Sequence, residues 1–184
     1  TFDFTGRISA NPSLNIRWSY DAPKMPTLNV AASVRWTDLG LLNLWDNRLS
    51  LGYLNTKQEI YLSNIKWKLF DMRVGARNQY ISIRNVKSSE FIGDYDFDQL
   101  NNDFITAFAE GRADTFDDGY FPKTGFTAGV SYGWTFGGFP HSFNNFHTVT
   151  ADAKVVIPAG KVFAFIPSFN ARLLFGNDVP VAYF

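Results

Sequence analysis

The sequence contains no cysteine, so a disulfide framework and a cysteine-based zinc site are both excluded. His141 and His147 are the only two histidines, and a zinc site built on them would need carboxylates from elsewhere in the fold. The formal net charge is zero, with 17 basic and 17 acidic residues and no basic patch of the kind that binds nucleic acid. We therefore expect no metal, no cofactor and no nucleic-acid partner, and we expect both histidines to be exposed or interfacial.

The sequence also lacks any run of about 18 apolar residues, which excludes a membrane-spanning helix but not a membrane-spanning strand. Aromatic residues, by contrast, are abundant, with 19 Phe, 8 Tyr and 5 Trp. Because apolar residues make up 46% of the chain, a disordered class is excluded and a folded domain is expected.

Residues 125–136 alternate strictly between two classes of side chain. The even positions from Phe126 to Phe136 are apolar, while the odd positions are Gly, Thr or Ser. A period of two residues predicts a β-strand with one apolar and one polar face. The same alternation recurs along the chain and predicts an all-β protein. We expect about ten strands, near 2–10, 13–21, 27–38, 47–54, 58–69, 71–85, 102–115, 124–137, 146–158 and 161–175.

Residues 129–133, Gly-Val-Ser-Tyr-Gly, match the G-x-S-x-G pattern of a serine hydrolase nucleophile elbow. That elbow requires a strand, a sharp turn that carries the serine, and a helix that follows the turn. Here the alternation continues through Ser131 to Phe136, and no helical pattern follows. We therefore interpret Ser131 as a small residue on the polar face of a strand.

The strand lengths distinguish a membrane barrel from a soluble β-sandwich or a lipocalin-like barrel. Several predicted strands alternate for 10 to 13 residues, whereas soluble strands usually have about 5 or 6 and tilted membrane strands about 9 to 11. Aromatic residues fall toward strand ends, as in interfacial girdles. We therefore predict an antiparallel transmembrane β-barrel.

Alternation assigns the polar face of this barrel to a wet lumen and the apolar face to lipid. The lumen arginines either line a pathway or pair with acidic residues on neighbouring strands, and the sequence leaves both readings open. The predicted lumen-facing residues are Arg7, Arg17, Arg35, Glu110, Arg112, Asp152 and Arg172. The predicted lipid-facing residues are Val34, Trp36, Val130, Tyr132 and Trp134.

The connections between the predicted strands differ in length. Those near Asn11 and Phe70 are tight, whereas 86–101 and 137–145 are longer. Short turns at one end and longer loops at the other are typical of an outer-membrane barrel.

Asp94, Asp96 and Asp98 resemble the opening of a calcium loop. Gln99 and Ile105 stand where an EF-hand needs Gly and Glu, so that match fails. We expect a solvated acidic loop.

A turn motif joins the strands near 102–115 and 124–137. Phe121 and Pro122 follow an acidic pair, and Gly125 opens the next strand. Pro122 cannot donate to a sheet, and Gly125 permits a bend into the strand. With this aromatic-Phe-Pro turn, residues 102–136 resemble a hairpin of the bacterial surface antigen family, the barrel superfamily that includes BamA.

The resemblance implies a barrel of about sixteen strands, which is more than the chain supplies. The family's inward-folded loop carries a Val-Arg-Gly-aromatic motif, and this sequence contains no Arg-Gly pair. Asp178 and Pro180 interrupt the alternation before Phe184, where a terminal barrel strand would be expected. We therefore expect residues 1–184 to be an incomplete barrel domain, with catalytic or POTRA regions upstream and more strands downstream.

Residues 48–86 and 146–184 are similar to the C-terminal barrel of patatin-like phospholipases from Bacteroides-type bacteria. The resemblance implies a bacterial outer-membrane location and a lipase domain with a Ser-Asp dyad on the same polypeptide. Its partners would be outer-membrane lipid, that upstream domain and, as a further expectation, a second copy. None of the lipase motifs maps onto this chain, so we expect it to anchor or translocate the enzyme and to catalyse nothing.

Two alternatives stay open. A protein-insertion or secretion pore of the BamA type would be preceded by POTRA domains. A small barrel enzyme acting on lipids would need a serine with a histidine base at the lipid boundary, and the sequence shows no such pair.

The face assignment leads to a first prediction. Replacing Val130 by Arg should destabilise the barrel by roughly 2 to 4 kcal/mol if the side chain lies at mid-bilayer. Ser131→Ala, one residue along on the opposite face, should change stability little. Urea unfolding of the detergent-refolded protein measures both, and equal stability of Val130→Arg and the parent would show that the faces are assigned the wrong way round.

Overall fold

The computed structural model describes residues 1–9, 11–44, 47–88, 101–117, 122–138, 145–160 and 163–176, and of 38–44, 47–51 and 84–88 it describes the backbone alone. Regular structure in these ranges consists of β-strands. Among the described residues, no helix is long and apolar enough to cross a membrane.

Eleven strands are formed within the described residues. Their bounds are β1 Phe2–Arg7, β2 Ser13–Tyr20, β3 Thr27–Leu44, β4 Asn47–Trp67, β5 Phe70–Ser88, β6 Asn102–Asp114, β7 Phe126–Phe136, β8 Phe146–Val155, β9 Ile157–Ala159, β10 Phe163–Phe165 and β11 Ser168–Phe175.

Nine of the strands form one antiparallel sheet in the order β1-β2-β3-β4-β5-β6-β7-β8-β11, while β9 and β10 pair separately. From β1 to β8 each strand therefore pairs with its neighbours in sequence, as in a membrane barrel, and β11 pairs with β8 beyond the separate β9–β10 pair. The prediction of an all-β, antiparallel barrel-type fold is confirmed. Within the described part of the chain, β1 and β11 are the two edges and the sheet is not closed.

The predicted break between 47–54 and 58–69 is wrong, because both segments belong to the single 21-residue strand β4. Asn55 and Lys57 continue the alternation and pair with Arg35 and Ser33 of β3. Asn55, Lys57 and Glu59 lie on the inner face and Thr56 and Gln58 on the outer face, so the alternation runs through 55–59 without a turn.

The predicted strands 146–158 and 161–175 are each divided in two. The N–H of Val156 bonds to the carbonyl of Gly125, so β8 ends one residue before it and β9 starts one residue after it. Pro167, which cannot donate a hydrogen bond, separates β10 from β11.

The tight turns lie at opposite ends of the sheet, which corrects the expectation that short turns share one end. Successive connections of an antiparallel meander alternate between its two ends, so the turn at Asn11 lies at the end of the sheet where β5 and β7 also end. The two-residue turn at Lys68 and Leu69 lies at the other end, with Lys68 at a φ of 55°.

Burial in the sheet is the reverse of that in a soluble protein. On β7, Val130 is 51% exposed and Trp134 is 42% exposed, whereas Thr127 and Thr135 of the other face are 2% and 0% exposed. A soluble sheet would bury the valine and tryptophan and expose the threonines. The apolar face is therefore the outer surface of this sheet.

The outer apolar band runs obliquely across the strands. On β3 it extends over Leu28–Trp36, with its middle at Ala32, and on β7 over Phe126–Phe136, with its middle at Ser131. In the strand register, Ala32 is level with Phe136 of β7, through Gln58, Asn78 and Ile105 on the strands between them. The middle of the band on β7 is Ser131, five residues from Phe136, so the band shifts by five residues over four strand intervals. With about 3.3 Å per residue and about 4.8 Å between strands, this shift corresponds to a tilt of about 40°, as membrane barrels require.

The second prediction concerns a close contact between β4 and β5. A Cβ added to Gly75 would lie 2.3 Å from the Ile60 carbonyl oxygen and 2.5 Å from Cβ of Tyr61. Because backbone atoms cannot yield easily, Gly75→Ala should destabilise the sheet by about 1 to 3 kcal/mol. Gly111→Ala is the matched control, since its nearest neighbour would be 3.8 Å away, and it should stay within about 1 kcal/mol of the parent. Urea unfolding in detergent compares the two, and equal losses would contradict the close contact.

Candidate functional site

The register sorts the residues predicted for lumen and lipid onto the two opposite faces of the sheet. Arg112, Gly129 and Asp152 occupy one row of the register, and Glu110 lies in another row with Ser131, Thr150 and Arg172. We call this the inner face, and Arg7, Arg17 and Arg35 share it. The outer face carries Val34, Trp36, Val130, Tyr132 and Trp134. Their contact with lumen or lipid stays a prediction.

The inner ion-pair network joins β4, β5 and β6. Glu59 accepts from Lys57 at 2.9 Å and from Arg77 at 2.6 Å. Arg77 also lies 3.6 Å from Glu110, which pairs with Arg73. The side chains of Glu59, Arg77 and Glu110 are only 13%, 19% and 22% exposed, so these charges depend on one another for compensation.

Aromatic rings lie beside Arg73 and Arg77, the two arginines of the network. The guanidinium carbon of Arg77 lies 4.8 Å from the ring centre of Phe108, and that of Arg73 lies 5.7 Å from the ring centre of Tyr61. Tyr61 and Phe108 are themselves 6.4 Å apart and tilted. Cation–π contact adds to the ion pairs and restricts the arginine rotamers.

The sequence analysis missed this network. Arg73 and Arg77 were assigned to a predicted strand, but neither was singled out. The available signal is their i, i+4 spacing, which puts both on one face of β5. Glu59 and Glu110 become their partners only through the pairing register, which one sequence does not reveal.

The predicted lumen arginines differ in their contacts. Arg17 donates from Nη2 at 2.7 Å and from Nε at 3.1 Å to one carboxylate oxygen of Asp3, Oδ2, but both side chains are about half exposed. In the described part of the chain, Arg7, Arg35 and Arg112 have no ion pair within 4 Å. Pairing therefore accounts for Arg17, while the unpaired guanidinium groups present charge to the inner space.

A polar groove follows the inner face, with a volume of about 800 Å³. Strands from β2 to β8 contribute to its walls, so the inner face is concave. Arg73, Arg112, Glu110 and Asp152 line it, together with the hydroxyl of Ser131. Groups of both charges lie along the groove, and such a surface binds water and ions rather than apolar molecules.

Ser131 and His147 lie on opposite faces and do not form a catalytic pair. The Ser131 hydroxyl is 2.5 Å from that of Thr150 on the inner face. His147 lies on the outer face, where its Nδ1 is 2.8 Å from the Tyr132 hydroxyl and its ring stacks against Trp134. The hydroxyl pair of Ser131 is a cross-strand contact, as the interpretation from alternation predicts.

No group of three metal-ligating side chains occurs among the residues that the structure describes. Asp94, Asp96, Asp98 and His141 lie outside the described residues.

The inner face also carries an apolar cluster that the sequence analysis missed. Ile81 is 8% exposed, and Phe104 and Phe146 are fully buried. Tyr53 and Leu174 pack against them, and we call these five residues the inner apolar cluster. The alternation of β6 could have indicated this cluster, because Phe104 is an even number of residues from Glu110 and must lie on the same face.

The turn between β6 and β7 has a fixed geometry. Gly125 has a φ of 109°, and a Cβ there would lie 2.3 Å from the Thr115 carbonyl oxygen. The Asp117 carboxylate accepts hydrogen bonds from the backbone N–H groups of Thr124 and Lys123, which lower the pKa of Asp117 below its ordinary value. Pro122 lies within this turn, and Phe121 lies outside the described residues.

The third prediction tests the inner ion-pair network. Arg77→Ala should destabilise the protein by roughly 2 to 4 kcal/mol, because Glu59 and Glu110 lose a shared partner while half-buried. Arg17→Ala removes an exposed pair and should cost about 1 kcal/mol or less. Urea unfolding in detergent measures both, and a loss for Arg17→Ala as large as that for Arg77→Ala would mean that burial does not set the strength of these pairs.

Comparison with known proteins agrees with this architecture. The sequence matches the OMP85 superfamily over residues 27–179, which is most of the chain. No curated protein and no solved structure matches it at a significant level. Proteins of this superfamily are outer-membrane β-barrels of the BamA type, and an exposed apolar face behind a charged inner face is the arrangement that such a barrel needs. The chain therefore belongs to the OMP85 superfamily.

Proposed function

We propose that the chain is a bacterial outer-membrane barrel that anchors or translocates a patatin-like phospholipase domain of the same polypeptide. The observation that carries the anchoring role is the exposed outer apolar band. On β7 this band covers ten residue steps, about 33 Å along the strand, or about 25 Å along the membrane normal at a tilt of about 40°. That height is the thickness of the apolar band of an outer-membrane barrel.

The lipase part of the proposal draws on residues 48–86 and 146–184, which are similar to the barrel of patatin-like phospholipases. The described inner face supports a division of labour. Its Ser131 bonds to Thr150 and is separated by the sheet from His147, which supports the proposal that lipid hydrolysis belongs to a domain outside this chain. Outer-membrane lipid and that domain would be its partners, and a second copy would associate with it in the membrane.

A protein-insertion or secretion pore of the BamA type is the second candidate. The superfamily match favours it, because the match covers most of the barrel strands and the barrels of this superfamily are of the BamA type. Such a pore would act on other proteins, whereas the anchor would act only on its own attached enzyme. The two candidates therefore predict different consequences of losing the chain from a cell.

The fourth prediction uses the full-length polypeptide that contains this chain. It should release fatty acid from phospholipid vesicles, and the activity should sediment with the outer membrane. Deleting residues 1–184 should leave the activity in the soluble fraction. Val130→Arg should reduce the sedimenting fraction without changing the turnover of the enzyme that remains, because the substitution lies in the barrel. Ser131→Ala is the matched control and should change neither quantity.

A different result would favour the pore over the anchor. If the polypeptide released no fatty acid, and its depletion lowered the amounts of unrelated barrel proteins in the outer membrane, the pore would replace the anchor as the function.

A further inference from the structure

The outer apolar band is interrupted by two side-chain amides on neighbouring strands. Gln58 of β4 and Asn78 of β5 are directly opposite each other in the register. Both lie on the outer face, because the residues next to them, Glu59 and Arg77, form their ion pair on the inner face. No other described residue within the band places a side-chain amide on the outer face. We call Gln58 and Asn78 the outer amide pair.

Both amides lie inside the thickness of the band. Ala32, the middle of the band on β3, is level with Gln58 and Asn78 in the register. Because the band shifts by five residues over four strand intervals, its middle is about one residue from Gln58 on β4 and about two to three residues from Asn78 on β5. At a tilt of about 40°, these offsets are roughly 3 Å and 6 Å along the membrane normal, well within a band about 25 Å thick. Lipid alone would therefore surround the outer amide pair with hydrocarbon.

Hydrocarbon cannot satisfy these two amides. The side chain of Gln58 is exposed, and Oδ1 of Asn78 is buried without a hydrogen-bond partner in the described part of the chain. On the β3 side, Ala32 is the residue level with Gln58, so no large side chain covers the Gln58 amide there. A polar group without a hydrogen bond is costly in hydrocarbon, which has neither donors nor acceptors. A protein partner with polar groups at this depth would remove that cost.

A second copy of this chain has the required chemistry at the required depth. A side-chain amide carries both a donor and an acceptor, so it is complementary to another amide. A two-fold axis along the membrane normal keeps every residue at the same depth in both copies, so the outer amide pair of one copy would meet that of the other. Asn and Gln side chains hydrogen-bond between transmembrane helices for the same reason.

We propose that the outer faces of β4 and β5 form the surface through which two copies of this chain associate in the membrane, with the outer amide pair at its centre. Ile60 and Val34, which are 53% and 42% exposed, would pack against the second copy in place of lipid. This inference rests on the membrane location in the proposed function and identifies the surface that its second copy would use. It does not depend on lipase activity.

The fifth prediction places single cysteines on the outer face of the full-length protein in outer-membrane vesicles. This chain contains no cysteine, so Ile60→Cys introduces a single thiol once any cysteine outside residues 1–184 is replaced by serine. A membrane-permeable bismaleimide should join two copies of this variant, because Ile60 is two residues from Gln58 on the same face. Val130→Cys on β7 is the matched control, since Val130 is 51% exposed, and it should remain monomeric.

A second measurement tests the amides themselves. The double variant Gln58→Leu, Asn78→Leu should raise the dissociation constant of the dimer in lipid vesicles roughly tenfold, because the hydrogen bonds between copies are lost. Fluorescence energy transfer between labelled copies, followed as lipid is added, measures this constant. Leucine suits a lipid-facing position, so the double variant should fold as well as the parent. Val130→Leu is the control and should leave the dissociation constant unchanged.

Several results would show that this surface does not join two copies. Ile60→Cys could give no cross-linked dimer, or could cross-link to a different outer-membrane protein. Val130→Cys could cross-link two copies equally well, or the double leucine variant could keep the dissociation constant of the parent. Each of these results would leave the membrane anchor standing if the protein still sediments with the outer membrane. Absence of the full-length protein from the outer membrane would overturn both proposals.

Discussion

The whole structure depends on one requirement, that backbone N–H and C=O groups surrounded by hydrocarbon must bond to a neighbouring strand. Lipid offers no hydrogen-bonding partner, so each unpaired group would cost several kcal/mol. This explains why the strands are long and why they pair in sequence order. It also explains the placement of three prolines, Pro12, Pro26 and Pro167, each of which lies immediately before a strand of the large sheet. At that position the missing N–H of proline removes no hydrogen bond between strands.

Once the outer face is apolar, the polar side chains must be accommodated on the inner face. Hydroxyls meet as cross-strand pairs, such as Thr106 with Thr135 at 2.9 Å, and the half-buried charges form the inner ion-pair network. Gly75 makes this arrangement compact, because its lack of a side chain lets Tyr61 lie against β5. Tyr61 then supports Arg73 through its ring. Backbone packing and electrostatics are thus coupled at this one position of the sheet.

Alternation predicted the strand type, the separation of the two faces and most strand positions, because the side-chain period of a strand depends only on local geometry. It failed at β4, where the predicted break between 47–54 and 58–69 lies within one continuous strand. It also could not identify Glu59 and Glu110 as partners of Arg77, since register depends on how three strands align and not on any one of them. The turn motif at Gly125 was recognisable, because a proline and a glycine restrict the backbone locally.

An even or odd position in a strand decides which face a residue lies on, but it does not determine what a residue on the inner face does. Phe104, Phe108 and Glu110 share one face of one strand, yet Phe104 belongs to the inner apolar cluster, Glu110 to the inner ion-pair network, and Phe108 stacks on Arg77 between them. Their roles follow from their height in the barrel, which depends on the strand tilt as well as on position in the sequence. The tilt becomes visible only when the register of successive strands is combined. The separation of the inner ion-pair network from the inner apolar cluster is therefore a property of the assembled sheet, and no single strand carries its pattern.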